Sequence, residues 1–258
     1  MISILQLGAV DYATGLRLQQ RLVQLRKDGI IGDVLLLLEH TPVITLGRNA
    51  KAANVIASSE QLKERGVEIF ECDRGGDVTF HGPGQLVGYP IFDLRGIASA
   101  DSKRKTLGVV EYVRRLEEVL IRTCADFRIP AKRVAGLTGV WTTSHDEAKI
   151  AALGVHISRG VTSHGFALNV NTQLDYFDLI IPCGITSKPV TSMMKQLGGE
   201  LSIQEVAHSI SRNIGVVFES QMLWLESLDD LLVHSVGVPM KPPDELRQLH
   251  GEDDPFCA

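Results

Sequence analysis

Apolar and polar residues recur along this chain with two periods, one helical and one extended, and these divide it into elements. From Asp11 to Gly29, Leu18, Leu22 and Leu25 fall on one face of a helix that Asp11 caps and Lys27-Asp28-Gly29 ends. Val34–Glu39 and Val43–Leu46 are apolar runs of strand length, split by Thr41-Pro42. Ser58-Ser59-Glu60-Gln61 carries the capping-box pattern of a short helix that stops at Gly66. Val67–Glu71 and Leu86–Leu94 read as strands leading into and out of a glycine-rich loop. Leu107–Phe127 is the strongest helical stretch. Val109, Val113, Leu116, Leu120 and Cys124 form one apolar stripe there, which makes Cys124 a core residue.

After Gly139 the period changes to that of strands. Lys149–Ser158 and Val161–Val170 flank Ser158-Arg159-Gly160, a tight turn with Gly160 at positive φ. Centred on that turn, the hairpin sets Lys149 opposite Asn169, and Ala152-Leu153-Gly154 against His164-Gly165-Phe166. The small residues Ala151, Ala152, Gly154, Gly165 and Ala167 then have two readings, a closely packed hairpin or a slot for an apolar chain. Val170 leaves the hairpin at the Lys149 end, so Lys149 and Cys183 can be neighbours. Ser202-x-x-Glu205 caps a last core helix with Ile203, Val206, Ile210 and Ile214 on one face. A weaker helix follows near Leu228–Val236, and from Gly237 a tail rich in proline and acid is loosely attached. Mixed sheets with helices on their outer faces give an α/β or α+β class, without internal repeats.

Composition narrows the picture. The chain has 258 residues, 44% hydrophobic and 22% charged, ordinary values for a globular protein with a sizeable core. Its longest apolar run, Val34 to Leu38, is far too short to span a membrane, and the N-terminus has no signal-peptide pattern. Four cysteines (Cys72, Cys124, Cys183, Cys257) form neither a disulfide framework nor a zinc spacing, so a reducing cytoplasm is the expected location. A net charge of −5 argues against a general nucleic-acid binder. The short cationic run Lys103-Arg104-Lys105 is a solvated helix entry or a docking point for an acidic carrier.

The chemistry gathers in Arg74–Pro90, which holds five glycines and two prolines and cannot be an ordinary helix. It is neither a P-loop nor a dinucleotide fingerprint. Arg74, Asp77, Thr79, His81 and Gln85 stand among glycines that let a backbone approach a ligand, although a glycine-rich surface loop would look the same. Pro182-Cys183-Gly184 offers a second site, a turn that exposes a thiol. A thiol must lose its proton to act as a nucleophile, and a lysine can assist either by charge or by accepting that proton. A cysteine in a turn and a lysine starting a strand are also common structural features.

Arg-Gly-Gly-x-x-Thr-x-His-Gly-Pro-Gly-Gln followed by an apolar strand resembles the signature of the octanoyltransferase family of lipoate biosynthesis. Lys149-Ile150-Ala151-Ala152-Leu153-Gly154 and Pro182-Cys183-Gly184-Ile185 fit as well, so the resemblance covers roughly residues 1 to 220 and stops before the tail. It implies the fold shared by biotin and lipoate protein ligases. It also implies a catalytic domain over 1–220, followed by an extension over 221–258.

For the chemistry, the resemblance implies Cys183 as nucleophile and Lys149 as its activator. Octanoyl would pass from acyl carrier protein to a cysteine thioester and then to a lysine of an acceptor, with no cofactor, ATP or metal. The acceptors it implies are lipoyl domains of 2-oxoacid dehydrogenase complexes and the glycine cleavage H protein. Substrate-binding residues would be Arg74, Gly75, Gly76, Asp77, Val78, Thr79, Phe80 and His81 in the glycine segment. Ala152, Leu153, Gly154, Gly165, Phe166 and Ala167 would be the others, on the hairpin. His164 neighbours that channel and could move a proton. The rivals are an ATP-dependent lipoate or biotin ligase of the same fold and a non-catalytic acyl-protein binding module. The His-Gly-Pro-Gly run with a cysteine in the Pro-Cys-Gly turn favours transfer from a thioester over the ligase, and the pairing of Cys183 with Lys149 argues against the module.

Overall fold

The computed structural model describes residues 1–101, 105–143, 147–184 and 188–231. Its first half runs β1 (Ile2–Val10), α1 (Tyr12–Lys27), β2 (Asp33–His40), β3 (Val43–Leu46), α2 (Ser59–Glu64), β4 (Glu68–Glu71), β5 (Val78–His81) and β6 (Gln85–Ile91). The second half runs α3 (Val109–Asp126), β7 (Ala131–Lys132), β8 (Val140–Thr142), β9 (Lys149–Ser158), β10 (Val161–Asn169), α4 (Met193–Leu197), α5 (Ile203–Val217) and β11 (Met222–Trp224). Short 3-10 turns at Leu174–Leu179 and Pro182–Gly184 link β10 to α4.

Eight strands form one mixed sheet in the order β11-β1-β2-β6-β10-β9-β8-β7, and β4-β3-β5 form a second, smaller sheet. Alternation along β2 sorts the large sheet's two faces. Leu35 and Leu37 join Tyr112, Leu116 and Leu120 of α3 and Val206 and Ile210 of α5. Val34, Leu36 and Leu38 pack with Leu18, Leu22 and Leu25 of α1. The small sheet has its own core of Ile44, Val78, Phe80, Phe177 and Leu179. The expected α+β class with outer helices is the one observed.

Local chemistry starts the helices where the sequence signals them. Asp11 accepts from the Thr14 amide at 2.8 Å, and Ser58 and Gln61 close a reciprocal capping box. Ser202 accepts from the Glu205 amide at the start of α5. In α3 the buried stripe is Tyr112, Leu116, Val119, Leu120, Thr123 and Cys124, while Val109 is 53% exposed in the first turn. The expected stripe is thus displaced at its N-terminal end, where the helix projects beyond the sheet.

Three further expectations change. The N-terminal Ile2–Val10, unassigned by pattern, is a strand paired in parallel with β2. Four residues of the glycine-rich segment form strand β5, because the alternating Val78-Thr79-Phe80-His81 finds a partner edge on β3. The β9–β10 register is one residue away from the expected one. The loop is the two-residue Arg159-Gly160, both at positive φ (53° and 84°), with Ser158 opposite Val161. Ala152 therefore faces Ala167, and Gly154 faces Gly165.

Beyond residue 220, β11 pairs in parallel with β1, and Leu225, Leu228 and Leu231 are buried with the α1 layer. The weak helix is described only over 228–231. Its remainder, the tail, Cys257, Lys103 and Arg104 lie outside the described residues. Among the described residues, no helix is long and apolar enough to cross a membrane.

Candidate active site

The small sheet stands over the large sheet where β6, β10 and β9 run side by side, and the space between them is the candidate site. One cavity is lined by Arg74, Gly76, Thr79 and His81 from the glycine segment and by Ala152, Leu153, Gly154, Gly165, Phe166 and Ala167 from the hairpin. Tyr12, Val87, Tyr89 and His164 complete its wall. A second, smaller cavity is lined by Lys149, Gln85, Asn169, Phe177, Pro182 and Val190, and it shares Thr79, Ala152 and Ala167 with the first. Lys149 and the residue next to Cys183 therefore border one small cavity, which adjoins the apolar cavity across Thr79, Ala152 and Ala167.

The remaining residues of the glycine segment have other surroundings, for reasons of period and hydrogen bonding. Val78 and Phe80 point from β5 into the small sheet's own core, where Phe80 stacks on Tyr176 at 4.7 Å. Thr79 and His81 alternate with them and face the cavity. Gly75 donates its amide to the Val155 carbonyl at 3.0 Å, so the Arg74–Gly76 backbone crosses directly over β9. The Asp77 carboxylate accepts from the amides of Lys51 (3.0 Å) and Val78 (2.8 Å) and from Asn54 Nδ2 (2.5 Å). Asn54 in turn accepts at its carbonyl from the Ile181 amide at 2.7 Å, beside the Pro182–Gly184 turn. Asp77 thus holds the segment in shape and lies off the cavity.

Two glycines have a steric explanation different from an open slot. A Cβ on Gly154 would stand 2.7 Å from the Gly75 carbonyl oxygen, and one on Gly165 would stand 2.2 Å from that of Gly88. Backbone crossing over backbone requires both residues to be small. Of the two readings of the hairpin, close packing describes Gly154 and Gly165, while Ala152 and Ala167 border open space.

The polar groups of the site are fixed by hydrogen bonds. Arg74 is buried, donating through Nε and Nη2 to the Thr45 hydroxyl (3.1 and 2.9 Å) and through Nη2 to the Thr45 carbonyl (2.6 Å). Gln85 donates its amide to the Phe80 carbonyl (3.2 Å) and to Asn169 Oδ1 (2.9 Å), and Asn169 donates to the Thr191 carbonyl (3.0 Å). Gln85 Oε1 is left as an acceptor, so His81 Nδ1, at 2.7 Å, carries the proton and Nε2 keeps its lone pair. Burial and the neighbouring His40 push the His81 imidazole down to about 3, which keeps it neutral near pH 7. His40 is likewise held down, to about 4, by burial. It donates through Nδ1 to the Val10 carbonyl and accepts from the Tyr89 hydroxyl at 2.7 Å.

Lys149 is 8% exposed, with Nζ 5.2 Å from the centre of the Trp141 ring. Its backbone is held to the segment after the cysteine turn through an isolated bridge to Val190: its amide donates to the Pro189 carbonyl (2.8 Å) and its carbonyl accepts from the Thr191 amide (2.9 Å). The Cys183 backbone sits in the 3-10 turn Pro182–Gly184, while its side chain lies outside what is described. Cys72 is half-buried and donates to the Leu46 carbonyl, and burial pushes the Cys124 thiol up to about 12. His164 donates through Nε2 to Asp73 at 2.7 Å, and its amide donates to Gln19 Oε1. Among the described residues no cluster of His, Cys, Asp or Glu is arranged to hold a metal.

Tyr12, Val87 and Tyr89 are wall residues that motif reading misses. Val87 and Tyr89 were accessible through the alternation of β6, since they share a face with Gln85. Tyr12 reaches the site through tertiary packing alone, as Trp141 reaches Lys149.

This double-sheet architecture is that of the biotin and lipoate ligase class. A bipartite lipoate protein ligase from Thermoplasma acidophilum superposes with a TM-score of 0.64, covering 91% of this chain and 90% of that one. At 16% identity this likeness shows the shared fold alone. The family model of the lipoyl protein ligase A/B catalytic domain matches residues 11–215.

Closer relatives narrow the class. The chain is 63% identical over 253 residues to an octanoyltransferase of Koribacter versatilis, covering 98% of each. It is 60% identical over 237 residues to one of Acidobacterium capsulatum, covering 90% of this chain and 96% of that relative. The chain belongs to the octanoyltransferase family of lipoate biosynthesis and is an acyltransferase.

Proposed function

We propose that this protein carries octanoyl as a thioester on Cys183, taking it from acyl carrier protein and passing it to a lysine of a lipoyl domain. The observation that supports this most is the cavity shared by Lys149 and Pro182, which adjoins an apolar cavity walled by Val87, Ala152, Ala167 and Phe166. In the first step the Cys183 sulfur attacks the donor thioester carbonyl, and Lys149 accepts the thiol proton and returns one to the departing carrier thiol. In the second step the acceptor lysine amine attacks the enzyme thioester, the C–S bond breaks to give the amide, and Lys149 takes the proton from the attacking nitrogen and returns it to the departing Cys183 sulfur, which leaves as thiol. Thioester to thioester is near neutral and thioester to amide runs downhill, so the sequence requires no ATP. The neutral His81, with Nε2 unprotonated, is a substrate-binding group here. The Thermoplasma ligase was studied with its E2 lipoyl domain, which makes lipoyl domains, together with the H protein, the acceptors proposed for this chain.

Intact mass after mixing with octanoyl carrier protein, without acceptor, tests the reading. One octanoyl group should be added to the parent, to Cys72→Ala and to Cys124→Ala, and none to Cys183→Ala. An adduct that survives in Cys183→Ala overturns the assignment. Acylation that proceeds only with octanoate and ATP points to a ligase instead.

A further inference from the structure

The two cavities lie along the strand direction, so the rows of the sheet act as a scale for an acyl chain. Gln85 and Asn169 pair in the row beside Lys149. Val87, Ala167 and Ala152 form the next row, and Gly165 and Gly154 pair in the one after, beside Tyr89. Four residues of strand separate the Asn169 row from the Gly165 row, a span of ~13 Å. An extended octanoyl chain, with C–C bonds of ~1.5 Å in zigzag, covers ~9 Å, and a dodecanoyl chain ~14 Å. The first ends within these rows, and the second overruns them.

His164 stands at that far end. It lines the inner cavity, and it also lines an outer groove bounded by Leu16, Gln20, Val23, Asp73, His156 and Ser163. A single imidazole is thus common to both spaces. It is 2% exposed and fastened on three sides, by its Nε2 donating to Asp73, its amide donating to Gln19 and its ring edge-on to Tyr89 at 6.3 Å. Its backbone lies at φ 54°, a left-handed conformation that is uncommon outside glycine and in which asparagine, aspartate and histidine are the residues most often found. A side chain so heavily constrained, at the junction of two spaces, has the form of a partition.

We propose that His164 is the end wall of the acyl cavity and sets the upper limit of chain length. This rests on the reading that the acyl chain of the Cys183 thioester runs from Lys149 towards Tyr89. Replacing His164 by glycine removes the wall, suits the positive φ, and joins the cavity to the outer groove. Replacing it by asparagine shortens the wall while keeping a residue that tolerates that φ.

The test is acylation of Cys183 by octanoyl- and dodecanoyl-pantetheine, followed by intact mass and initial rate. The parent should prefer octanoyl. In His164→Gly the ratio of dodecanoyl to octanoyl rate should rise at least ~10-fold, whatever happens to the octanoyl rate itself, and His164→Asn should fall between the two. Equal loss for both chains in both variants, or an unchanged ratio, overturns the wall and gives His164 a structural or chemical role. A parent that already takes both chains equally overturns it too. A parent that forms an adduct with neither thioester removes the Cys183 reading itself, and the wall with it.

Discussion

At the scale of single residues, Lys149 occupies the most informative position. Its side-chain nitrogen lies over the Trp141 ring and its backbone is bonded to the segment that follows the cysteine turn, so its head group is held rather than free to wander. Lys149→Met keeps the apolar stem and removes the amine. Transfer should fall at least ~100-fold, the low end for losing a positioned acid–base group. The rate of Cys183 alkylation should also move to higher pH, and an unmoved profile would show that Lys149 does not act on the thiol of the free enzyme. Of the candidate site, two placements were legible in the sequence: Lys149 at the start of a strand, and Cys183 in a turn between proline and glycine. Asp77 was legible only in part. Its place in the motif suggested contact with substrate, whereas its carboxylate is occupied by the Lys51 and Val78 amides and by Asn54. Side-chain-to-backbone bonds of that kind leave no periodic trace.

At the scale of elements, the hairpin's register decides which residues border the cavity. A two-residue turn sets Ala152 opposite Ala167, and a slip of one residue would have turned each of them towards a different partner. The turn's two positive-φ residues were only half visible, since Gly160 signals its conformation and Arg159 does not. Strand β5 was hidden for the opposite reason: flanking glycines outweighed a four-residue alternation that only β3 makes stable. Ala167 borders both cavities and is 3% exposed, so it is the place to narrow the passage. Ala167→Leu removes room for about three methylenes at ~0.8 kcal/mol each, a loss of ~2 kcal/mol or ~60-fold in octanoyl transfer. Butanoyl transfer should be affected far less when both are assayed side by side. Equal loss for both would mean a displaced Cys183 or a damaged fold.

At the scale of the whole molecule, buried histidines and paired carboxylates govern how stability responds to acid. His40 and His81 have folded values of about 4 and about 3, below the ordinary 6.5, so the unfolded chain binds their protons first. Stability is full above pH 6.5 and declines as pH falls through that value, by ~1.4 kcal/mol per pH unit for each histidine differing by one proton. Carboxylates add to the decline below ~4. Ser209, Asn213 and Arg212 hold Asp126 below its usual range, and Lys132 and Lys188 hold Glu147 down to about 2. Chemical denaturation between pH 8 and 4 should show a plateau and then a slope, shallower in His40→Gln. A flat response down to pH 4 would contradict neutral burial of these rings. The α1 layer and the core under α3 and α5 followed from periodicity, but the parallel pairing of β11 with β1 did not, being a contact between the two ends of the described chain. That pairing has a consequence for assembly. Without it, the whole nine-residue β1 would offer an open row of amides and carbonyls; with it, Ile2, Ser3 and Ile4 are paired, and the outermost strand on that side is only three residues long. Over that stretch the segment after α5 forms a selvedge, a short woven margin in place of a longer raw edge.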